Sequence, residues 1–119
     1  MKNTVRKHIY FSGRVQGVGF RYRSYYIAQS LGLTGWVTNL WDGRVEMEVQ
    51  GQTFDIQELL KRIQEQNWIE VSDMEITDIP CEQENSFHIY REVNVRNGYR
   101  AFLIEIFDVF YMFFNSGMV

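Results

Sequence analysis

Nine consecutive residues, Gly13-Arg14-Val15-Gln16-Gly17-Val18-Gly19-Phe20-Arg21, have the types and spacing best suited to chemistry in this chain. An alternating segment runs into them and a helical segment runs out. Glycine reaches positive φ at little cost and lets a ligand approach the backbone closely. The amides that open a helix have no acceptors within it and, with the helix dipole, attract an anion. Arg21 adds a planar cation able to grip a phosphate or carboxylate through two hydrogen bonds. The stretch therefore describes an oxyanion cradle with an arginine at its rim. It does not fit better-known loops. Tyr22 stands where G-x-G-x-x-G needs its last glycine, and no Gly-Lys-Ser/Thr follows as in a nucleotide P-loop. Glycine content alone leaves an ordinary strand-to-helix turn equally open, with Arg21 on a solvated helix face.

A second stretch, Gly35-Trp36-Val37-Thr38-Asn39-Leu40-Trp41-Asp42-Gly43-Arg44-Val45-Glu46-Met47-Glu48-Val49-Gln50-Gly51, follows at a fixed distance. With the first, it closely resembles the acylphosphatase family, and the resemblance spans residues 7–91. It implies a loop that binds phosphate through Gln16, Gly17, Val18, Gly19, Phe20 and Arg21. It further implies two catalytic residues: Arg21, which holds the phosphate, and Asn39, which positions the attacking water. The implied reaction is hydrolysis of the carboxyl–phosphate bond of small acyl phosphates, releasing a carboxylate and inorganic phosphate. It calls for no metal, cofactor or covalent nucleophile. Without the resemblance, Asn39 at the end of a strand reads more simply as an asparagine bonding its own turn backbone.

The elements that must position these residues can be read from periodicity. Residues 7–15 alternate as a strand, with Ile9 and Phe11 on one side. Residues 20–31 read as a helix, with Phe20, Ser24, Ile27, Ala28 and Leu31 on one stripe and Gly32 as its stop. Arg23 lies off that stripe and reads as solvated. Residues 34–39 and 44–50 form the next two strands, joined by the turn chemistry of Asp42-Gly43. Val45, Met47 and Val49 point one way and Glu46 and Glu48 the other, which predicts a sheet with one covered and one wet face. Residues 55–66 form the clearest helix, with Ile56, Leu59, Leu60 and Ile63 inward and Thr53 or Asp55 able to cap it. Residues 71–79 give a further strand, with Met74 and Ile76 inward and Pro80 ending it. Residues 87–91 give the last, with Phe87 and Ile89 inward.

This order predicts an α+β fold: a ferredoxin-like split βαβ sandwich (βαββαβ), with two helices on one face of an antiparallel sheet and the first strand central. The expected organisation is an acylphosphatase-like domain, residues 1–91, and an apolar C-terminal extension, residues 92–119. Residues 101–114 are very apolar, interrupted by Glu105 and Asp108. On a helical wheel Arg100, Glu105, Asp108 and Asn115 gather on one side, whereas the abundance of Phe, Ile and Val favours strand. The expectation leans to helix. A membrane span is disfavoured: two central acids would cost roughly 5 to 7 kcal/mol, against about 3 to 5 kcal/mol returned by nine Leu, Ile, Val and Phe residues. An apolar surface of this size is expected to pack on the domain or to drive self-association.

The composition of the 119 residues suits one packed domain, with 45% hydrophobic and 16% aromatic residues. A formal net charge of −3 argues against broad binding to nucleic acid, though not against one local anion site. Cys81, the single cysteine, has no partner for an intramolecular disulfide; it is expected to be a small, buried or half-buried side chain in a connection. A reducing, cytoplasmic setting is compatible with it. Met1 to Lys7 is basic but runs into no continuous apolar region, so no secretory leader is expected.

Two other functions compete. A non-catalytic phosphate- or anion-binding module would need the cradle but not Asn39. An RNA-binding sheet shares the order of elements, but Glu46 and Glu48 on the third strand and a missing aromatic signature speak against it. The chain also resembles the acylphosphatase-like part of a hydrogenase maturation carbamoyl-transfer factor, without the remaining domains of such a protein.

Overall fold

The structure, a computed structural model, describes residues 3–94 and 100–105. Alternation in the N-terminal segment yields a long strand, β1 (Thr4–Arg14), which leads through the glycine-rich loop into helix α1 (Phe20–Leu31). There follow β2 (Thr34–Asn39), β3 (Val45–Gln52), helix α2 (Thr53–Gln64), β4 (Glu70–Ile79), β5 (Phe87–Asn94) and β6 (Arg100–Ile104). The strands form one six-stranded sheet in the order β4-β1-β3-β2-β5-β6. β1 lies inside the sheet, antiparallel to both β3 and β4. β2 is antiparallel to β3. β5 departs from the predicted antiparallel pattern, since it adds to β2 in parallel.

Both helices lie on one face. There Ile9, Phe11, Val37, Val45, Met47, Val49, Phe87 and Ile89 meet Phe20, Ile27, Ala28, Ile56, Leu59 and Ile63 in a single buried core. These are the inward residues of the strand alternations and of the two helical stripes, so the same periodicity that makes each element amphipathic also closes the core.

The structure departs from the sequence reading at several points. β1 begins at Thr4, and Arg6 is buried in a carboxylate and amide cluster, donating to Glu48, Gln50 and Glu84 at 2.7–3.2 Å. The glutamate face is not wet throughout: Glu46 is only 2% exposed. Arg100 of β6 reaches over β2 and β5 to Glu46 at 2.6 Å, and His8 Nε2 meets the same carboxylate at 2.7 Å. This face also holds a cluster of three aromatics, Trp36, Tyr90 and Phe102, each in ring contact with the other two, which the sequence reading did not place. Ile76, expected inward, is 46% exposed on β4, which is an edge strand. Helix α2 starts at Thr53 with Gln52 as its N-cap and no side-chain cap, so neither Thr53 nor Asp55 serves that role. Arg23 is half-buried, and Cys81 is exposed. The expected helix is corrected over residues 101–104, which are strand; residues 106–119 lie outside the described residues. Among the described residues, no helix is long and apolar enough to cross a membrane.

Candidate active site

The loop from β1 to α1 turns through Gly17 and Gly19, at φ +75° and +79°. Gly19 is the left-handed N-cap of α1, a conformation that a side chain would strain, and its carbonyl accepts from the Arg23 amide at 2.9 Å. Among the described residues, the amides of Gly17, Val18, Gly19 and Phe20 form no hydrogen bond. They are the unpaired donors expected at a helix start, presented on a loop whose flanks, β1 and α1, are fixed in the core.

The Gln16 side chain braces the loop from within. Its Nε2 donates to the carbonyls of Leu40 and Arg44, at 2.7 and 2.8 Å. Those carbonyls flank the turn between β2 and β3, which the Leu40 amide closes onto Arg44 at 2.8 Å and Asp42 stiffens by accepting from the Arg44 amide at 3.0 Å. Gln16 thus ties the glycine-rich loop to the hairpin that carries Asn39.

Asn39, the last residue of β2, sits on the helix side of the sheet. Its Oδ1 is buried and has no hydrogen-bond partner among the described residues. The turn backbone does not use it. It lines a cavity of about 200 Å³ with Val15, Gly17, Gly19, Phe20, Arg21 and Tyr22. The cradle, the arginine and the asparagine predicted from separate motifs are therefore brought together around one space.

A second cavity of about 310 Å³ shares Arg21 and Asn39 and adds Arg91 and Glu105. Arg21 Nη1 donates to Glu105 Oε1 at 2.7 Å, and the Tyr22 hydroxyl donates to Glu105 Oε2 at 2.5 Å. The Glu105 amide bonds the Ile89 carbonyl at 2.7 Å, which fixes the carboxylate's stem against β5. Burial opposes the charge on Glu105. The Tyr22 hydroxyl and the nearby Arg21 outweigh it, with Arg91 adding to them, and hold the carboxyl below the usual glutamate range.

A family model described as Acylphosphatase matches residues 7–89. The chain belongs to the acylphosphatase family. It is similar to the acylphosphatase of Bifidobacterium longum, with 45% identity over 85 residues that cover 71% of this chain and 88% of that one. Among solved structures, an acylphosphatase from Bacillus subtilis superposes with a TM-score of 0.67 at 34% identity, covering 71% of this chain and 97% of its own. A full-length HypF in a phosphate- and nucleotide-bound form also superposes, at a TM-score of 0.66 and 26% identity, but this chain covers only 12% of it. The Bifidobacterium longum and Bacillus subtilis relatives are named for a hydrolase acting on acid anhydrides, and this chain carries the predicted ferredoxin-like α+β fold.

Two residues in contact beside these cavities, Tyr22 and Glu105, were not singled out by the sequence reading. Tyr22 was noted only for not being glycine, and Glu105 as an interruption of an apolar run and part of the polar side of a helical wheel. Neither has a local signal; their meeting depends on β6 pairing with β5, with Ile104 opposite Tyr90. Among the described residues, no group of three or more His, Cys, Asp or Glu gathers as a metal site. The two histidines are engaged elsewhere, His8 with Glu46 and His88 with the Ser86 hydroxyl at 2.9 Å.

Proposed function

We propose that the phosphoryl group of a small acyl phosphate binds between the amides of residues 17–20 and the Arg21 guanidinium, and that Asn39 positions the water that attacks it. The observation that carries this reading is the buried, unpartnered Asn39 Oδ1 on the cavity shared with the loop glycines and Arg21. A lone acceptor there can take a hydrogen bond from water and turn an oxygen lone pair toward phosphorus. Loop amides and Arg21 stabilise the charge on the equatorial phosphoryl oxygens as transfer proceeds. The water oxygen bonds to phosphorus as the bond to the acyl oxygen breaks. The departing carboxylate has a conjugate acid of pKa about 4, so it leaves without a general acid.

The test is hydrolysis of acetyl phosphate or benzoyl phosphate by the full chain, with chelator present, beside Asn39→Ala and Arg21→Ala. Asn39→Ala should lose at least about a hundredfold in kcat, with inhibition by phosphate retained. Arg21→Ala should lose phosphate binding as well as turnover. Full activity in Asn39→Ala overturns the water-positioning role. Phosphate binding by a folded wild-type chain without turnover would point instead to a non-catalytic anion-binding module.

Two further features belong to this reading. The exposed Leu103 and Ile104 on edge strand β6 favour self-association through the C-terminal extension, which the molar mass of the full chain in solution tests. The exposed Cys81, with no second cysteine in the chain, fits a reducing cytoplasmic setting.

A further inference from the structure

The carboxylate on Arg21 comes from outside the residues that the family model matches, since Glu105 follows β6 whereas the match ends at residue 89. Its two oxygens are held by two different donors, the Arg21 guanidinium and the Tyr22 hydroxyl. A tetrahedral phosphoryl group on Arg21 would offer the same pair of oxygen contacts. Side-chain exposure is 23% for Arg21 and 15% for Glu105, so the pair is screened less than one on the open surface. Two anions cannot share such a site comfortably, because like charges a few ångströms apart in a partly buried pocket raise each other's energy. Glu105 stays ionised there for the reasons given above. A phosphoryl group arriving at Arg21 must therefore displace the carboxylate.

Resting on the assignment of Arg21 as the phosphate-binding arginine, we propose that Glu105 is an internal competitor for the phosphoryl subsite. It occupies Arg21 and Tyr22 in the free chain and swings away when substrate binds. The backbone bond from Glu105 to Ile89 keeps the stem in place, so rotation of the side chain is enough. The effect is a substrate affinity set below what the cradle alone would give. When the competent form is only a fraction of the population, apparent affinity falls by that fraction. A carboxylate in place about nine-tenths of the time lowers affinity about tenfold.

The experiment compares the full wild-type chain with Glu105→Gln, which keeps the side chain's size and removes its charge. Binding of inorganic phosphate is measured directly by titration calorimetry, and KM and kcat are measured with acetyl phosphate. Phosphate should bind about 5- to 20-fold more tightly to Glu105→Gln, with KM lowered in step and kcat within about twofold. A carboxylate that instead orients Arg21 for catalysis would show the opposite sign, with weaker phosphate binding and slower turnover in the variant. Unchanged or weakened phosphate binding overturns the proposal, whether or not the chain hydrolyses acetyl phosphate. Tightened phosphate binding without hydrolysis would uphold it and overturn only the catalytic reading. A second measurement needs no variant: saturating inorganic phosphate should shift the Glu105 side-chain carboxyl ¹³C resonance of the wild-type chain, and a resonance that does not move overturns the proposal.

Discussion

A buried carbonyl oxygen with no partner costs about 1–3 kcal/mol, and Asn39 Oδ1 is such an oxygen. The hairpin closed by Leu40 and Arg44 and tied down by Gln16 holds it there. Asn39→Asp keeps the size of the side chain and replaces a neutral acceptor by a carboxylate, beside the cavity that also holds Glu105. The added negative charge should repel a phosphoryl anion that Asn39→Ala would still admit. Phosphate affinity at neutral pH should therefore fall more than about tenfold in Asn39→Asp, with turnover lost, as read from competitive inhibition and kcat. Phosphate binding as tight as wild type would mean that the side-chain oxygen does not face the phosphoryl site. At this scale the sequence was informative where the residues are neighbours. Arg21 and the loop glycines are consecutive, and Asn39 closes a motif of its own. Glu105 was opaque, because it stands 84 positions from Arg21 and nothing local announces the contact.

The elements carry a constraint of their own at Gly35, which opens the Gly-Trp-Val-Thr-Asn segment. Its φ is +135°, and a Cβ there would lie 2.0 Å from the Glu48 carbonyl oxygen of the paired strand β3. Backbone cannot give way as the end of a side chain can. Gly35→Ala should destabilise the chain by roughly 2–4 kcal/mol in urea unfolding, and should push apart the strands that place Asn39. A loss under about 0.5 kcal/mol would show that β2 and β3 do not approach so closely. Helices α1 and α2 were legible because their apolar stripes run for three turns. The parallel seat of β5 was less so, because a five-residue alternation says which face is inward but not which neighbour it pairs with. β6 was misread because the wheel that gathered Arg100 and Glu105 on one side was satisfied equally by polar residues at the ends of a strand. The free edge of β5, with its unpaired amides and carbonyls, recruits residues 100–104 in their strand alternation: Arg100, Phe102 and Ile104 on one face and Ala101 and Leu103 on the other.

The molecule as a whole is tied across its open face by Glu46, which joins β3 to His8 on β1 and to Arg100 on β6, while Arg100 also holds Glu92 on β5 at 2.8 Å. Burial opposes the charge on Glu46, but the hydrogen bonds and charge of Arg100 and His8 outweigh it and hold its carboxyl below the ordinary glutamate value. The sign of the linkage follows. A carboxyl with a lowered pKa in the folded state binds fewer protons there than in the unfolded chain, so it stabilises the fold above the unfolded value. That contribution is lost as pH falls through the folded one. Arg100→Ala removes a leading source of the lowering and leaves a nearly buried carboxylate with His8. It should cost about 1–3 kcal/mol at pH 7, kept to that range because the arginine side chain is itself 42% exposed. The difference between wild type and Arg100→Ala should then shrink as the pH is taken below the usual glutamate range, where both Glu46 carboxyls become protonated. Urea unfolding of the two chains at neutral and at acid pH measures this directly. A gap that stays constant would place the stabilising role of Arg100 in its stacking on Phe102, at 4.9 Å from the ring centroid, instead of in the charge of Glu46.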